Sequence, residues 1–251
     1  MATRADGRRR AGSPRPRRAT AGAVMLLLAP AAAAAGQAPA AAGQAAADPL
    51  VAAVRAEAAR IGPRAFERVS ETTDRSGTTV RRVERFVPEG RSGRGSWTLV
   101  SVDGREPTAA ERRRHAREAA ATPAPGYWRL ATILSGPSER VRDGQPVYRF
   151  QPLAPGSIRT DRADLSAGLA AEAAIDPNGG RPIVRSLRIF APAPFPVLGV
   201  ARVLRFEAEN RYAEGPDGTP YLAAQTSRAE VRAPVVGLVA TTTRQTFRPL
   251  P

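Results

Sequence analysis

ARVLRFEAENRYA, residues 201–213, sets Leu204, Phe206, Ala208 and Tyr212 in alternation with Arg205, Glu207, Glu209 and Arg211. Successive side chains of a strand point to opposite faces, so this period of two predicts a strand with one apolar and one wet face. Gly215-Pro216-Asp217-Gly218 turns the chain, and Thr219–Arg232 and Val236–Arg248 follow as further strands. Upstream, Ala65–Thr73 and Thr78–Val87 flank the turn Asp74-Arg75-Ser76-Gly77, and Gly95–Val102 ends at Asp103-Gly104. Tyr127–Leu134, Val147–Leu153, the alanine-rich Leu169–Ile175 and Ile183–Ala191 complete the set, the last opened by the turn signal Asp176-Pro177-Asn178-Gly179-Gly180. About ten strands joined by short turns predict an antiparallel meander rather than alternating βα units.

Two helices accompany these strands. Asp48 is a good N-cap and Pro49 suits the first helical position, with Leu50, Val51, Val54, Ala58 and Ile61 on one face before Gly62-Pro63. The second helix begins at the capping box Thr108-Ala109-Ala110-Glu111 and runs to about Ala121. Its sequence, ERRRHAREAAA, offers only alanine as an apolar face, so it is read as a surface helix or a lid. The resulting fold class is mainly β, an α+β arrangement in which a large antiparallel sheet carries an N-terminal and an inserted helix. Two helices cannot cover one whole side of such a sheet. The sheet must add a second layer or curl into a half-barrel with a concave apolar trough.

The chain has 251 residues and a net charge of +15. Its basic residues are all arginine, a bias that accompanies abundant alanine, glycine and proline. Arg8-Arg9-Arg10 and Arg15, Arg17 and Arg18 precede the uncharged Ala19–Ala35, centred on Val24–Leu28. This is the layout of a secretory signal peptide over residues 1–35, with cleavage after Ala35, Ala40 or Ala47. An uncleaved anchor is the alternative, although Pro30 interrupts an apolar stretch shorter than the roughly 20 residues a span needs. Residues 36–47 read as a flexible leader and 48–251 as a single domain in the periplasm. Loss of residues 1–40, with seven arginines and one aspartate, lowers the charge from +15 to +9. That excess favours an anionic membrane surface, and export leaves no nucleic acid partner in view. With no cysteine, neither disulfides nor thiol chemistry arises.

Little in the sequence points to catalysis. His115 is the only histidine, so it is read as an exposed surface residue beside Glu111 and Glu118, not as a metal ligand or a base. Asp161/Asp164 and Glu207/Glu209 are possible carboxylate pairs, but the first lies in a loop and the second on a wet face. The Asp-Gly steps at 103–104, 143–144 and 217–218 are turns without the additional oxygen ligands of a calcium loop. The expectation is a non-enzymatic protein without a metal or cofactor. Trp97, Leu99, Trp128, Leu130, Phe150, Leu204 and Phe206 are then candidates to line an apolar trough, and Phe190 and Phe247 are further strand aromatics. In APAPFPVLG, residues 191–199, the prolines predict a stiff connection unable to pair in a sheet. Phe195, Val197 and Leu198 would form its docking tip.

Exported domain, N-terminal helix, long meander with intervening helix and absence of cysteine together resemble the LolA/LolB-type lipoprotein carriers over Asp48 to Leu250. WTLVSVDGREPT, residues 97–108, is also similar to a W-x-L-x-x-x-D-G-x-x-P-T stretch of uncharacterised exported proteins of Gram-negative bacteria. The resemblance implies a curved sheet wrapped around a lipid or the acyl chain of a lipoprotein, with helices as a lid. The alternative is an envelope interaction module that docks on a partner through its sheet face or the 191–199 loop.

Overall fold

A computed structural model describes residues 48–121, 124–142, 144–160, 163–177, 181–234 and 236–250. The proposed signal peptide and leader, together with Asp143, Asp161 and Asn178-Gly179-Gly180, lie outside the described residues. The chain forms α1 (Pro49–Ile61), β1 (Phe66–Asp74), β2 (Thr79–Pro88), β3 (Gly95–Val102) and α2 (Ala109–Ala121). A 3₁₀ turn at Tyr127–Arg129 runs into α3 (Leu130–Ile133), followed by β4 (Ser138–Arg142), β5 (Val147–Phe150), β6 (Ala170–Asp176) and β7 (Ile183–Phe190). Then come β8 (Phe195–Val197), β9 (Ala201–Glu214), β10 (Pro220–Ala233) and β11 (Gly237–Pro249).

All strands join one open, curved antiparallel sheet in the order β3-β2-β1-β11-β10-β9-β7-β6-β5-β4, with β8 paired to β9. The mainly β, half-barrel reading therefore holds. The first and last strands pair inside it, Phe66 opposite Pro249 and Asp74 opposite Thr241. Asp48 accepts a hydrogen bond from Leu50 N at 2.9 Å and starts α1, which buries Val51, Val54 and Ala58 as its apolar spacing requires. The α2 capping box is closed in both directions. Thr108 N donates to Glu111 Oε2 at 2.7 Å, and Glu111 N donates to Thr108 Oγ1 at 3.2 Å.

The structure corrects several expectations. Tyr127–Leu134 is helical, not a strand. Tyr127, Leu130, Ile133 and Leu134 are buried at three- and four-residue spacing, so helical packing overrides their β propensity. The 191–199 segment does pair: Phe195, Pro196 and Val197 lie opposite Val203, Arg202 and Ala201. Pro196 is tolerated because this three-residue strand lies on one side of β9 only. β4 is an additional edge strand whose five residues are all exposed, and no apolar alternation announces it. In β9 the alternation shifts at Leu204, which has no partner between Arg205 opposite Glu230 and Val203 opposite Val231. This bulge turns Ala201 and Val203 to the same face as Phe206, Ala208 and Tyr212.

The core lies between one face of the sheet and the layer formed by α1 and Tyr127–Ile133. Alanines 171 and 173 of β6 are fully buried in it, with Tyr148, Phe150, Leu187 and Ile175. The remainder of that sheet face is not a wide greasy trough. Past the helices it carries Ser70, Thr72, Thr243, Gln245, Gln225, Ser227 and Asn210 in facing registers. Thr72 Oγ1 lies 3.1 Å from Thr243 Oγ1, and Gln225 donates to Asn210 Oδ1 at 2.7 Å. Here polar side chains paired across the strands take the place of apolar ones, with Ser70 and Asn210 buried among them.

Candidate functional site

An apolar slot opens at the end of the helix layer. α1 ends at Ile61, and Gly62, with φ of 70°, turns the chain toward β1, which begins at Phe66. Pro125-Gly126 enter from the other side and place Trp128. Between them lies a slot walled by Ile61, Phe66, Trp128, Tyr221, Leu222 and Phe247. Its cavity is about 40 Å³, space for roughly three waters. Phe66 anchors an aromatic cluster behind the wall, with ring centroids 5.3 Å from Phe86, 5.5 Å from Trp97 and 5.5 Å from Phe247.

Two glycines frame the indole of Trp128. A Cβ on Gly93 would lie 2.3 Å from the ring, and one on Gly126 would lie 2.8 Å from it. Trp128 Nε1 is buried without a hydrogen-bond partner and lies beside Gly126, itself part of the slot wall. A buried donor left unpaired costs about 1–3 kcal/mol, and an acceptor brought by a ligand would recover it. Arg129 stacks at 5.4 Å from the Trp128 ring and donates to Ser157 O at 2.5 Å.

A second cluster lies beneath α2. Glu84, 3% exposed, accepts from Arg68 Nε at 2.8 Å, and its other oxygen lies 2.8 Å from His115 Nε2. Arg68 in turn sits 4.5 Å above the Trp97 ring. Burial alone would raise the Glu84 pKa, but the hydrogen bond from His115 and the charge of Arg68 outweigh it and hold the group at about 2. An ionised Glu84 has no proton to give, so His115 Nε2 carries the hydrogen. His115 is thus 5% exposed and not a surface residue. Its partner is in β2, since Glu111 is engaged by Arg105 and Glu118 by Arg114. Both acidic oxygens are satisfied, which makes this cluster a clamp between α2 and the sheet.

The trough candidates separate once placed. Trp128 lines the slot, and Trp97 stands behind Phe66. Leu130 and Phe150 have no exposed surface and belong to the core. Leu99 is buried opposite Glu84, Leu204 occupies the bulge, and Phe206 packs at the core margin. Ile61, Tyr221, Leu222 and the β1 residue Phe66 were missed as wall residues. Ile61 had been visible on the apolar face of α1, and Phe247 as a strand aromatic. Of the docking residues, Phe195 packs on Gly168 and Val197 is half-buried, while Leu198 is 48% exposed at a φ of 53°.

One member of each possible acid pair is engaged elsewhere. Asp164 accepts from Ser166 N, Ser166 Oγ and Gly156 N. Glu207 points to the helix-free face and accepts from Arg188 at 2.9 Å. Among the described residues, no group of three or more metal-ligating side chains comes together, and no helix is long and apolar enough to cross a membrane. Comparison with protein-family models, curated proteins and solved structures finds no match for this chain.

Proposed function

We propose that this chain is a non-enzymatic binding protein of the bacterial periplasm that takes a lipid or lipoprotein acyl chain between its helix layer and its curved sheet. The observation that carries this reading is the slot. It is apolar and open at the helix–sheet seam, and its wall includes Trp128, whose Nε1 is buried without a hydrogen-bond partner. An ester or carboxyl oxygen at the head of an acyl chain is the matching acceptor. In the described conformation the cavity admits only a chain end. Deeper uptake requires α1 and Tyr127–Ile133, which pack on one another, to lift from the sheet together. Each methylene then buried contributes about 0.8 kcal/mol. The resemblance of the sequence layout to the lipoprotein carriers points the same way.

Native mass spectrometry of the protein purified from a bacterial envelope tests this proposal. The expected spectrum contains a bound species of lipid mass that solvent extraction removes. A spectrum of apoprotein alone, unchanged after incubation with fatty acid or phospholipid, would overturn it.

Docking on an envelope partner is a second reading, favoured by the exposed apolar tip formed by Leu198 and Val200 at 48% and 44% exposure. Serine at Leu198 and Val200 should abolish partner capture on that reading and leave lipid binding unchanged.

A further inference from the structure

The face of the sheet turned away from the helices carries charge that the protein does not neutralise. Phe206, Ala208 and Phe247 face the core, so their strand neighbours Arg205, Glu207 and Arg244 face the opposite side. Arg228 is in register with Glu207 on β9 and Thr242 on β11, and therefore shares that face. Arg205, Arg228 and Arg244, with Thr73, Thr242 and Glu230, wall a basin of about 420 Å³ near the β1–β2 turn.

Across most of this surface arginine is paired with acid, for example Arg85 and Arg248 with Glu67, and Arg188 with Glu207. In the basin Glu230 lies opposite Arg205, and the acids opposite Arg228 and Arg244 are already taken. Glu207, opposite Arg228, binds Arg188 at 2.9 Å and lies 3.7 Å from Arg205. Glu71, opposite Arg244, lies 3.7 Å from Arg81. Asp74 accepts from Ser76 and Thr78 within its own turn. Among the described residues, Arg228 and Arg244 therefore have no ion-pair partner, and only Glu230 opposes them. Two guanidinium groups, a third beside them and the Thr242 hydroxyl make a donor-rich, cationic cup, with Thr73 at its edge held 2.8 Å from Thr79 Oγ1. Planar guanidinium forks match the oxygens of a phosphate in pairs.

We propose that this basin binds a phosphate group through Arg228 and Arg244, with Arg205, Thr73 and Thr242 as its walls. The site is independent of the apolar slot and lies on the other face of the sheet. A phosphate free in solution and one in an anionic phospholipid headgroup present the same oxygens.

The test titrates the full chain with inorganic phosphate by calorimetry and sediments it with phosphatidylglycerol vesicles, using phosphatidylcholine vesicles as the reference. The variants are R228Q/R244Q and, as an equal loss of charge from exposed positions of α2, R113Q/R117Q. Thermal melts confirm that both pairs fold. The proposal expects saturable binding to phosphate or to phosphatidylglycerol, weakened by about tenfold or more in R228Q/R244Q and unchanged in R113Q/R117Q. Binding of phosphate identifies the free anion as sufficient, and binding to phosphatidylglycerol alone identifies the headgroup. Equal losses in the two pairs, equal affinity for both vesicle types, or no binding of either phosphate source would overturn it. Failure here leaves the slot untouched, because native lipid retention reads that site separately.

Discussion

His115 Nε2 donates to Glu84 Oε1 at 2.8 Å across 31 residues of sequence, and this contact fastens α2 to β2 in a nearly dry site. Arg68 on β1 holds the second oxygen, so three elements depend on one carboxylate. The Glu84 pKa of about 2 lies below its ordinary 4.5. The pair therefore stabilises the fold above pH 4.5, and that contribution is lost as pH falls toward 2. Urea unfolding at pH 7 should show Glu84→Gln destabilised by about 3 kcal/mol, because Arg68 is left buried beside a neutral group. Repeated at successive pH values, the difference between wild type and variant should shrink between pH 4.5 and 2. A difference independent of pH would assign the loss to packing instead.

Leu130 and Phe150 are core residues, so they should respond as core residues do. Leu130→Ala and Phe150→Ala are each expected to cost about 3 kcal/mol in chemical denaturation. Leu204→Ala, at the half-buried bulge, should cost less than about 1.5 kcal/mol. Equal, small effects at all three positions would place the first two on a surface.

Much of this architecture was legible in the sequence. Alternation in β9 from Phe206 to Tyr212, the Asp48-Pro49 start of α1 and the Thr108–Glu111 box each express one local rule and appear where that rule puts them, whereas the bulge at Leu204 breaks the alternation. Tyr127–Leu134 was not legible as helix because its aromatic, β-branched and aliphatic residues satisfy both periods, and burial against α1 decides between them. His115 failed for a related reason. A helix rich in arginine looks fully solvated until a buried acid on a distant strand is known, and Glu84 has no local signature. The slot was only partly legible: its wall comes from α1, β1, β10, β11 and a 3₁₀ turn, and no single segment shows their convergence.

Gly93 has a φ of 73°, and a Cβ there would meet the Trp128 ring at 2.3 Å. Gly93→Ala should destabilise the protein by about 2 kcal/mol through backbone strain and displacement of the indole. Trp128 should also become more exposed, with tryptophan emission shifted to the red. Unchanged stability and emission would show that the loop yields freely.

Leu198 holds a left-handed backbone conformation with 48% of its surface exposed. Asparagine accepts that conformation more readily, so Leu198→Asn should raise stability by about 0.5–1 kcal/mol in thermal melts. A destabilised variant would mean that the leucine side chain contributes packing to the hairpin tip.

Quenching of Trp128 by a brominated acyl chain tests the slot most directly. In Trp97→Phe, Trp128 is the sole tryptophan, so all emission comes from the slot wall. Titration with a bromo fatty acid should quench it saturably, and the unbrominated acid should compete the quenching away. Emission that falls only linearly with bromide, or that the plain acid leaves unaltered, would contradict an acyl site between the helices and the sheet.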